Sequence, residues 1–332
     1  MEYSKKLPLV SISCITYNHG AYIRRAMDGF LSQKTNFPFE ILIHDDASTD
    51  DTQTILKEYE ARYPDLIRPI YRTENQYSKG ICNVSGAFNF PRARGKYIAM
   101  CEGDDYWCDD RKLQLQADYM EAHPDCSMCF HAAKIITESK AFVRREIRPY
   151  HKSRVVPAEE VINKPYNYPT ASLFFKTELG KQLPDWYHNC PVGDVPTHLF
   201  MAAHGSVYYF DRFMSVYRLG VATSWTTSMQ QGDTETVRKK QLDHLEDLRR
   251  MYLAFDRDTG GRYHGSVEAA LSREEFLTKL NLGEFEAARK FENRKYVEEL
   301  PQPQRSLLKL QASCPGIYEG LRKLYYKTRG RS

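Results

Sequence analysis

Residues 95–105 read GKYIAMCEGDD. A short apolar run, YIAM, delivers a tip on which Glu102, Asp104 and Asp105 crowd together. Like charges side by side repel, so a strand that ends this way calls for positive charge at its tip. The flanking sequence shows what else converges there.

Two earlier apolar runs end in the same manner. PLVSISCIT (8–16) runs into the polar turn TYNHG, and FEILIHDD (39–46) ends in two carboxylates. Between them Ile23, Ala26, Met27, Phe30 and Leu31 recur at i, i+3, i+4, i+7 and i+8, the stripe of an amphipathic helix. After the second run, Ser48 and Asp51 stand at capping-box spacing. Ile55, Leu56, Tyr59 and Tyr63 then form a helix face that Pro64 stops. LIRPIYR (66–72) reads as a third strand, residues 80–94 as a helix with Val84, Ala87 and Phe88 on one side, and 111–124 as the helix after the carboxylates.

Strands alternating with helices predict an α/β fold with a mostly parallel central sheet. In open sheets of this kind ligands bind outside the carboxyl ends of the strands. Three polar clusters lie at such ends: Thr16-Tyr17-Asn18, His44-Asp45-Asp46 and Glu102-Gly103-Asp104-Asp105. Each alone reads as a turn or a helix cap, but three on one edge are harder to explain that way. Beyond residue 124 the pattern becomes mixed, with strands at CSMCFHAAKII, TASLFFKTE and SVYYFDRFMSVYR and a short helix at GDVPTHLFMAAHG. From Asp233 the chain turns helical, SREEF (272–276) offers a further helix start, and Pro301 and Pro303 interrupt it. The expected division is a catalytic α/β domain at 1–225 and a helical extension at 226–332.

The chain has 332 residues, 42% hydrophobic and 27% charged, which is ordinary globular composition. Its net charge of +4 requires no nucleic-acid partner. Residues 304–332 carry seven Lys/Arg against one Glu, a tail that suits either a solvated terminal helix or an anionic membrane surface. No run approaches the ~20 apolar residues that span a bilayer. The opening MEYSKKLPLVSISC reads as a strand and not as a cleaved leader. The eight cysteines show no paired framework, and the CxxC at Cys126 and Cys129 has no second pair, so it reads as a core strand with reduced thiols, hence a cytoplasmic protein.

Oxygen ligands on a loop suit Mn²⁺ or Mg²⁺, which usually also bind substrate phosphates. Such an ion stabilises a departing diphosphate. Tyr17 can stack on a base, and Asn18, Asp45 and Asp46 offer partners for base and ribose edges. HDDASTDD lacks the Gly and spacing of an EF-hand loop, and no GxGxxG, GxxxxGK[ST] or GxSxG is present.

VSISCITYNH, then EILIHDDASTDDT, then ARGKYIAMCEGDDYWCDDRKLQLQ resemble, in order and spacing, the successive signatures of the family 2 glycosyltransferases over about residues 7–225. The resemblance implies a GT-A fold, a nucleotide-sugar donor, a divalent metal and inversion at the anomeric carbon. It implies that Thr16, Tyr17, Asn18, Asp45 and Asp46 hold the base and ribose. The family's metal motif, Asp-x-Asp, reads Glu102-Gly103-Asp104 here. Asp104 is then the direct metal ligand, Glu102 acts on metal, ribose or water, and Asp105 is a second candidate ligand. Arg94 and Lys96 are candidates for phosphate contact or plain charges at a helix end and a strand start, Arg94 being counted with the donor site. The family places an acidic general base at the start of a short helix beside the acceptor, which maps to Asp194 in CPVGDVPTHLF; a plain helix cap is the other reading of that residue. Relatives often carry a His two residues after a Tyr-Arg pair; YRLGVATSWT has Gly220 there, with Arg218 or a nearby Ser/Thr as its substitute. His19, His131 and His204 read as structural. Trp107 and Trp225 fit either a sugar floor or the core.

The implied substrates are a UDP-sugar donor and a glycan or lipid-linked acceptor at the inner face of a membrane, in polysaccharide biosynthesis. The C-terminal helices would extend the acceptor site, touch the membrane or pair with a second copy in a homo-oligomer. A sugar-1-phosphate nucleotidyltransferase would want a Gly-rich basic loop after the first strand, which TYNHGAY is not. A non-catalytic scaffold has only the missing imidazole at Gly220 in its favour.

Overall fold

A computed structural model describes residues 7–137, 146–188, 190, 192–284, 286–287, 290–300, 302–314 and 316. Contacts divide the chain into two units, one of Met1–Gln230 with Arg250–Val267 and one of Gln231–Arg249 with Glu268–Ser332.

The first unit is built on one ten-stranded sheet. Its strands are β1 (Val10–Thr16), β2 (Phe39–Asp45), β3 (Ile67–Tyr71), β4 (Tyr97–Met100), β5 (Tyr106–Trp107), β6 (Cys126–Thr137), β7 (Glu146–Ile147), β8 (Arg154–Val156), β9 (Phe174–Lys176) and β10 (Ser206–Leu219). The order is β3-β2-β1-β4-β9-β6-β10-β5, with β7 on β6 and β8 on β10. The first four strands pair parallel, as do β6 and β10; β9, β5, β7 and β8 pair antiparallel. Thr16, Asp45 and Tyr71 fall in register, so β1, β2 and β3 end together. The chain leaves β1 toward β2 and β3, then returns to lay β4 on the other flank. That reversal opens a crevice at the carboxyl ends of β1 and β4.

Apolar side chains of β1, β2 and β4 pack against the helix Ile23–Leu31, whose Ile23, Ala26, Met27 and Phe30 are buried as the spacing required. Phe30 meets Trp107 edge-on at 4.8 Å, and the Trp107 indole donates to the Ala171 carbonyl at 2.9 Å. Trp107 therefore belongs to the core and not to a sugar floor. The opposite face buries Phe90, Phe130, Tyr168, Phe175 and Tyr209. Cys126 and Cys129 are free and buried in β6.

Two local expectations change. The second helix begins at Thr52 with no side-chain cap, because Ser48 instead serves the preceding turn. Residues 80–94 form no long helix; a five-residue π-helix, Ser85–Asn89, docks there. The Asn89 amide donates to Ser13 Oγ and to the Cys14 and Leu42 carbonyls, and these contacts outweigh helical regularity. SREEF lies inside the helix His264–Asn281.

The second unit is helical, with a core of Phe276, Ala287, Tyr296, Val297 and Leu308. The basic tail is largely outside the described residues. Among the described residues no helix is long and apolar enough to cross a membrane.

Lys112 opens the helix Lys112–Ala122 yet is fully buried. Its ammonium donates to Gln116 Oε1 at 2.7 Å and lies 4.1 Å from the Trp107 ring centre. Burial pulls its pKa from 10.5 to about 7. Between about pH 7 and 10 the unfolded chain binds a proton that the folded chain does not, so this group's contribution to stability rises with pH across that window. Below pH 7 its unfavourable contribution is complete. Lys112→Met is therefore expected to stabilise the fold at pH 7, on the order of 1–4 kcal/mol, with the gain shrinking toward pH 10. Urea unfolding of both proteins at pH 7 and pH 9.5 checks this; a variant destabilised at pH 7 would refute it.

Candidate active site

The turn after β1 depends on Asn18, whose φ of +54° lies in the left-handed region that Asn tolerates. Its Oδ1 accepts from the Thr49 N–H at 2.7 Å, and its own N–H donates to Ser48 Oγ at 2.8 Å. The Asp46 N–H donates to the Thr16 carbonyl at 2.9 Å. These bonds stitch the first two loops into one rim. Tyr17 stands on that rim, 37% exposed.

The two carboxylates after β2 carry different loads. Asp45 accepts from Ser48 N at 3.1 Å and Oγ at 2.5 Å and from the Gln53 amide at 2.6 Å, so it organises its own turn. Asp46 accepts from the Gln76 and Tyr77 N–H groups at 2.8 and 3.0 Å and meets His44 Nε2 at 3.3 Å. Burial pushes the Asp46 pKa up, but His44 and the two amides outweigh it and hold the carboxyl below its ordinary value. Asp46 thereby anchors the loop after β3 to the rim.

The third loop closes against the first. The Gly103 N–H donates to the Ile15 carbonyl at 2.9 Å. A Cβ at Gly103 would lie 2.7 Å from Thr16 Oγ1 and 3.0 Å from His19 Nδ1, so only glycine permits this approach. Asp104 and Asp105 are buried. Burial, then Asp104, then Asp194 push the Glu102 pKa up to about 8. Burial, Asp104 and Glu102 hold Asp105 well above the ordinary carboxylate range, although Asp105 accepts the Arg218 N–H at 2.8 Å. The Arg218 guanidinium donates through Nε to the Asp104 carbonyl at 3.1 Å and lies over Tyr22 at 4.6 Å.

Asp194 begins the helix Asp194–Ala203. Thr197 Oγ1 donates to the Gly193 carbonyl at 2.7 Å and meets the Tyr187 hydroxyl at 2.7 Å, which pins the helix start. Burial raises the Asp194 pKa, partly offset by the Val195 N–H at 2.8 Å. Asp194 lies near enough for its charge to raise the Glu102 pKa, after burial and Asp104.

Arg94 is set apart. Its N–H and guanidinium bind Glu40, each at 2.8 Å, and Glu40 also accepts from Ser11 at 2.6 Å. Ser11, Glu40 and Arg94 lie at or just before the amino ends of β1, β2 and β4, the edge opposite the carboxylates. Arg94 fastens the sheet there and is removed from the donor-binding set; Lys96 pairs with Glu121 at 2.7 Å. Conversely, His19, read from sequence as structural, comes to 3.9 Å from Asp104. The signal for it was its place one residue past TYN.

Whether the site suits a divalent cation follows from its charge. Burial first, and then their acidic neighbours, push Glu102 and Asp105 toward the protonated form, and a bound cation would offset the repulsion among them. Among the described residues no three His, Cys, Asp or Glu side chains already surround one point. The donor set therefore fits an ion of the Mn²⁺ or Mg²⁺ kind, which takes one or two protein ligands and completes its shell with phosphate and water.

The family model described as "Glycosyl transferase family 2" matches residues 11–180, just over half of the sequence. The chain belongs to glycosyl transferase family 2. The uncharacterized protein Rv1520 of Mycobacterium tuberculosis is 36% identical over 224 residues, 65% of this chain and 60% of that protein. The chain thus spans less than two thirds of the length of the first curated relatives it matches. Among solved structures, S. aureus TarS 1–349 in complex with UDP-GlcNAc matches with a TM-score of 0.61 at 16% identity, over 97% of this chain and 92% of that one. The mannosyltransferase PcManGT from Pyrobaculum calidifontis, in complex with GDP-Man and Mn²⁺, matches with a TM-score of 0.53 at 16% identity, over 97% and 89%. At that identity the likeness speaks for the fold: this family 2 chain has the GT-A architecture.

Proposed function

We propose that this family 2 protein moves a sugar, with inversion, from a UDP-sugar to a hydroxyl of a glycan or lipid-linked acceptor in polysaccharide biosynthesis. The observation that carries this reading is the cluster of Glu102, Asp104 and Asp105 just past the carboxyl end of β4, beside β1, with Asp194 near enough for its charge to act on Glu102. Tyr17 and the rim around Asp46 receive the base and ribose, Asn18 and Asp45 keeping that rim in shape. Asp104 holds the divalent cation, with Glu102 and Asp105 adjacent. That ion, when bound, supplies Lewis-acid stabilisation of the departing diphosphate.

Asp194 performs the proton transfer. Its carboxylate takes the proton of the acceptor hydroxyl as that oxygen forms a bond to the anomeric carbon and the carbon–oxygen bond to the diphosphate breaks. Attack from the face opposite the leaving group inverts the centre. A pKa raised by burial makes Asp194 a stronger base than an exposed aspartate. Arg218, tied to the Asp104 carbonyl, adds fixed positive charge beside the leaving group. The basic tail brings the enzyme to the anionic membrane face where a lipid-linked acceptor resides.

Thermal shift with UDP, GDP and CDP, each with and without Mn²⁺, tests the donor assignment. UDP with Mn²⁺ at about 100 times its Kd is expected to raise Tm by about 5 °C or more. Equal shifts from all three nucleotides would remove the uridine assignment.

A further inference from the structure

Gly220, two residues after the Tyr217-Arg218 pair, has a φ of +89° and supplies no side chain to the carboxylates. An imidazole does stand beside them. His19 is about nine-tenths buried, and among the described residues neither its Nδ1 nor the Thr16 hydroxyl, both buried, has a hydrogen-bond partner. Both of these atoms border Gly103, within about 3 Å of where a Cβ would stand. The ring's other nitrogen, Nε2, faces Asp104 Oδ2 at 3.9 Å.

That separation is too long for a hydrogen bond. It leaves the two atoms close to the spacing of two ligands of one ion: donors at about 2.1 Å from an octahedral cation stand ~3.0 Å apart when adjacent and ~4.2 Å apart when opposite, so a side-chain shift of under ~1 Å brings both to one ion. The geometry points to His19 as a nitrogen ligand of the divalent ion, sharing it with Asp104. Diphosphate oxygens and water complete the shell. The inference rests on the proposed function, since it needs the metal and the nucleotide in that crevice.

A consequence for metal choice follows. Imidazole suits transition metals, whereas Mg²⁺ prefers oxygen ligands. With His19 in the shell, Mn²⁺ is favoured over Mg²⁺ beyond what carboxylates alone would give. His19→Gln is expected to weaken Mn²⁺ binding to the UDP complex by about tenfold or more. Mg²⁺ affinity should change less, so the Mn²⁺/Mg²⁺ preference narrows.

Pulsed electron paramagnetic resonance on Mn²⁺ in the full-length protein with UDP decides the matter without reference to turnover. Wild type is expected to show nitrogen hyperfine coupling that changes on ¹⁵N-histidine labelling and disappears in His19→Gln. If the variant fails to fold, the labelled wild-type protein still gives the answer. A protein that binds Mn²⁺ and UDP without histidine nitrogen coupling, or whose coupling persists in folded His19→Gln, overturns the assignment while leaving the proposed function standing. Wild-type protein that binds no Mn²⁺ in the presence of UDP overturns that function, and this inference with it.

Discussion

Asp194→Asn is expected to lower kcat for sugar transfer by about 10²–10⁴-fold, the range associated with loss of a positioned general base. The amide keeps the size of the carboxyl and its hydrogen bond from the Val195 N–H, so the helix start held by Thr197 and Tyr187 should survive. UDP affinity should be nearly unchanged, because the role proposed for Asp194 is toward the acceptor and not the nucleotide. Removing its charge also takes away one of the influences that raise the Glu102 pKa. A helix-cap role would give a different result: lower Tm, with activity of the folded fraction intact. Steady-state kinetics and UDP titration of the variant, with its Tm measured alongside, separate the two. A kcat within about threefold of wild type would end the base assignment.

The second large effect is expected at Asp104. Asp104→Asn should lower kcat/KM by about 10³-fold, since it would weaken the binding of the ion proposed to offset charge on the leaving diphosphate, worth several kcal/mol in the transition state. The same change should act on stability with two opposite signs. In the absence of metal and nucleotide it relieves the repulsion that Asp104 exerts on Glu102 and Asp105, so Tm rises. With UDP and Mn²⁺ the stabilisation seen in wild type is lost. A merely structural aspartate would lower Tm in both conditions. A variant whose Tm still climbs with UDP and Mn²⁺ as wild type does would remove Asp104 from the metal site.

Much of this site could be read directly from residues. Apolar runs located β1, β2 and β4, and their order of appearance placed TYN, HDD and EGDD on one edge. What the sequence hid was how each carboxylate is employed. Asp45 and Asp46 look equivalent in the chain, yet Ser48 and Gln53 occupy the first, while backbone amides of the loop after β3 occupy the second. Those donors come from as far as residue 77, and no local pattern announces them. Ser48 illustrates the same competition: the capping-box spacing was present, but Asp45 lay closer to its hydroxyl than the helix did. Arg94 was misjudged for a geometric reason. A residue just before a strand lies at that strand's amino end, away from the ligand edge, and its partner Glu40 confirms it. The π-helix at Ser85–Asn89 has no helical periodicity of its own, being shaped by the Asn89 contacts to β1 and β2. His19 was passed over because one histidine beside a turn is usually structural, and only the approach of Gly103 to Thr16 brings it to Asp104.

The most direct test is a crystal structure of the protein with UDP and Mn²⁺. Uracil should lie on the rim formed by Tyr17 and Asp46, with the ion about 2.2 Å from an Asp104 oxygen and in contact with the diphosphate. Asp194 should face the open side of that pocket. Nucleotide bound elsewhere, or Asp46, Asp104 and Asp194 directed to separate surfaces, would contradict a shared crevice for donor, cation and base.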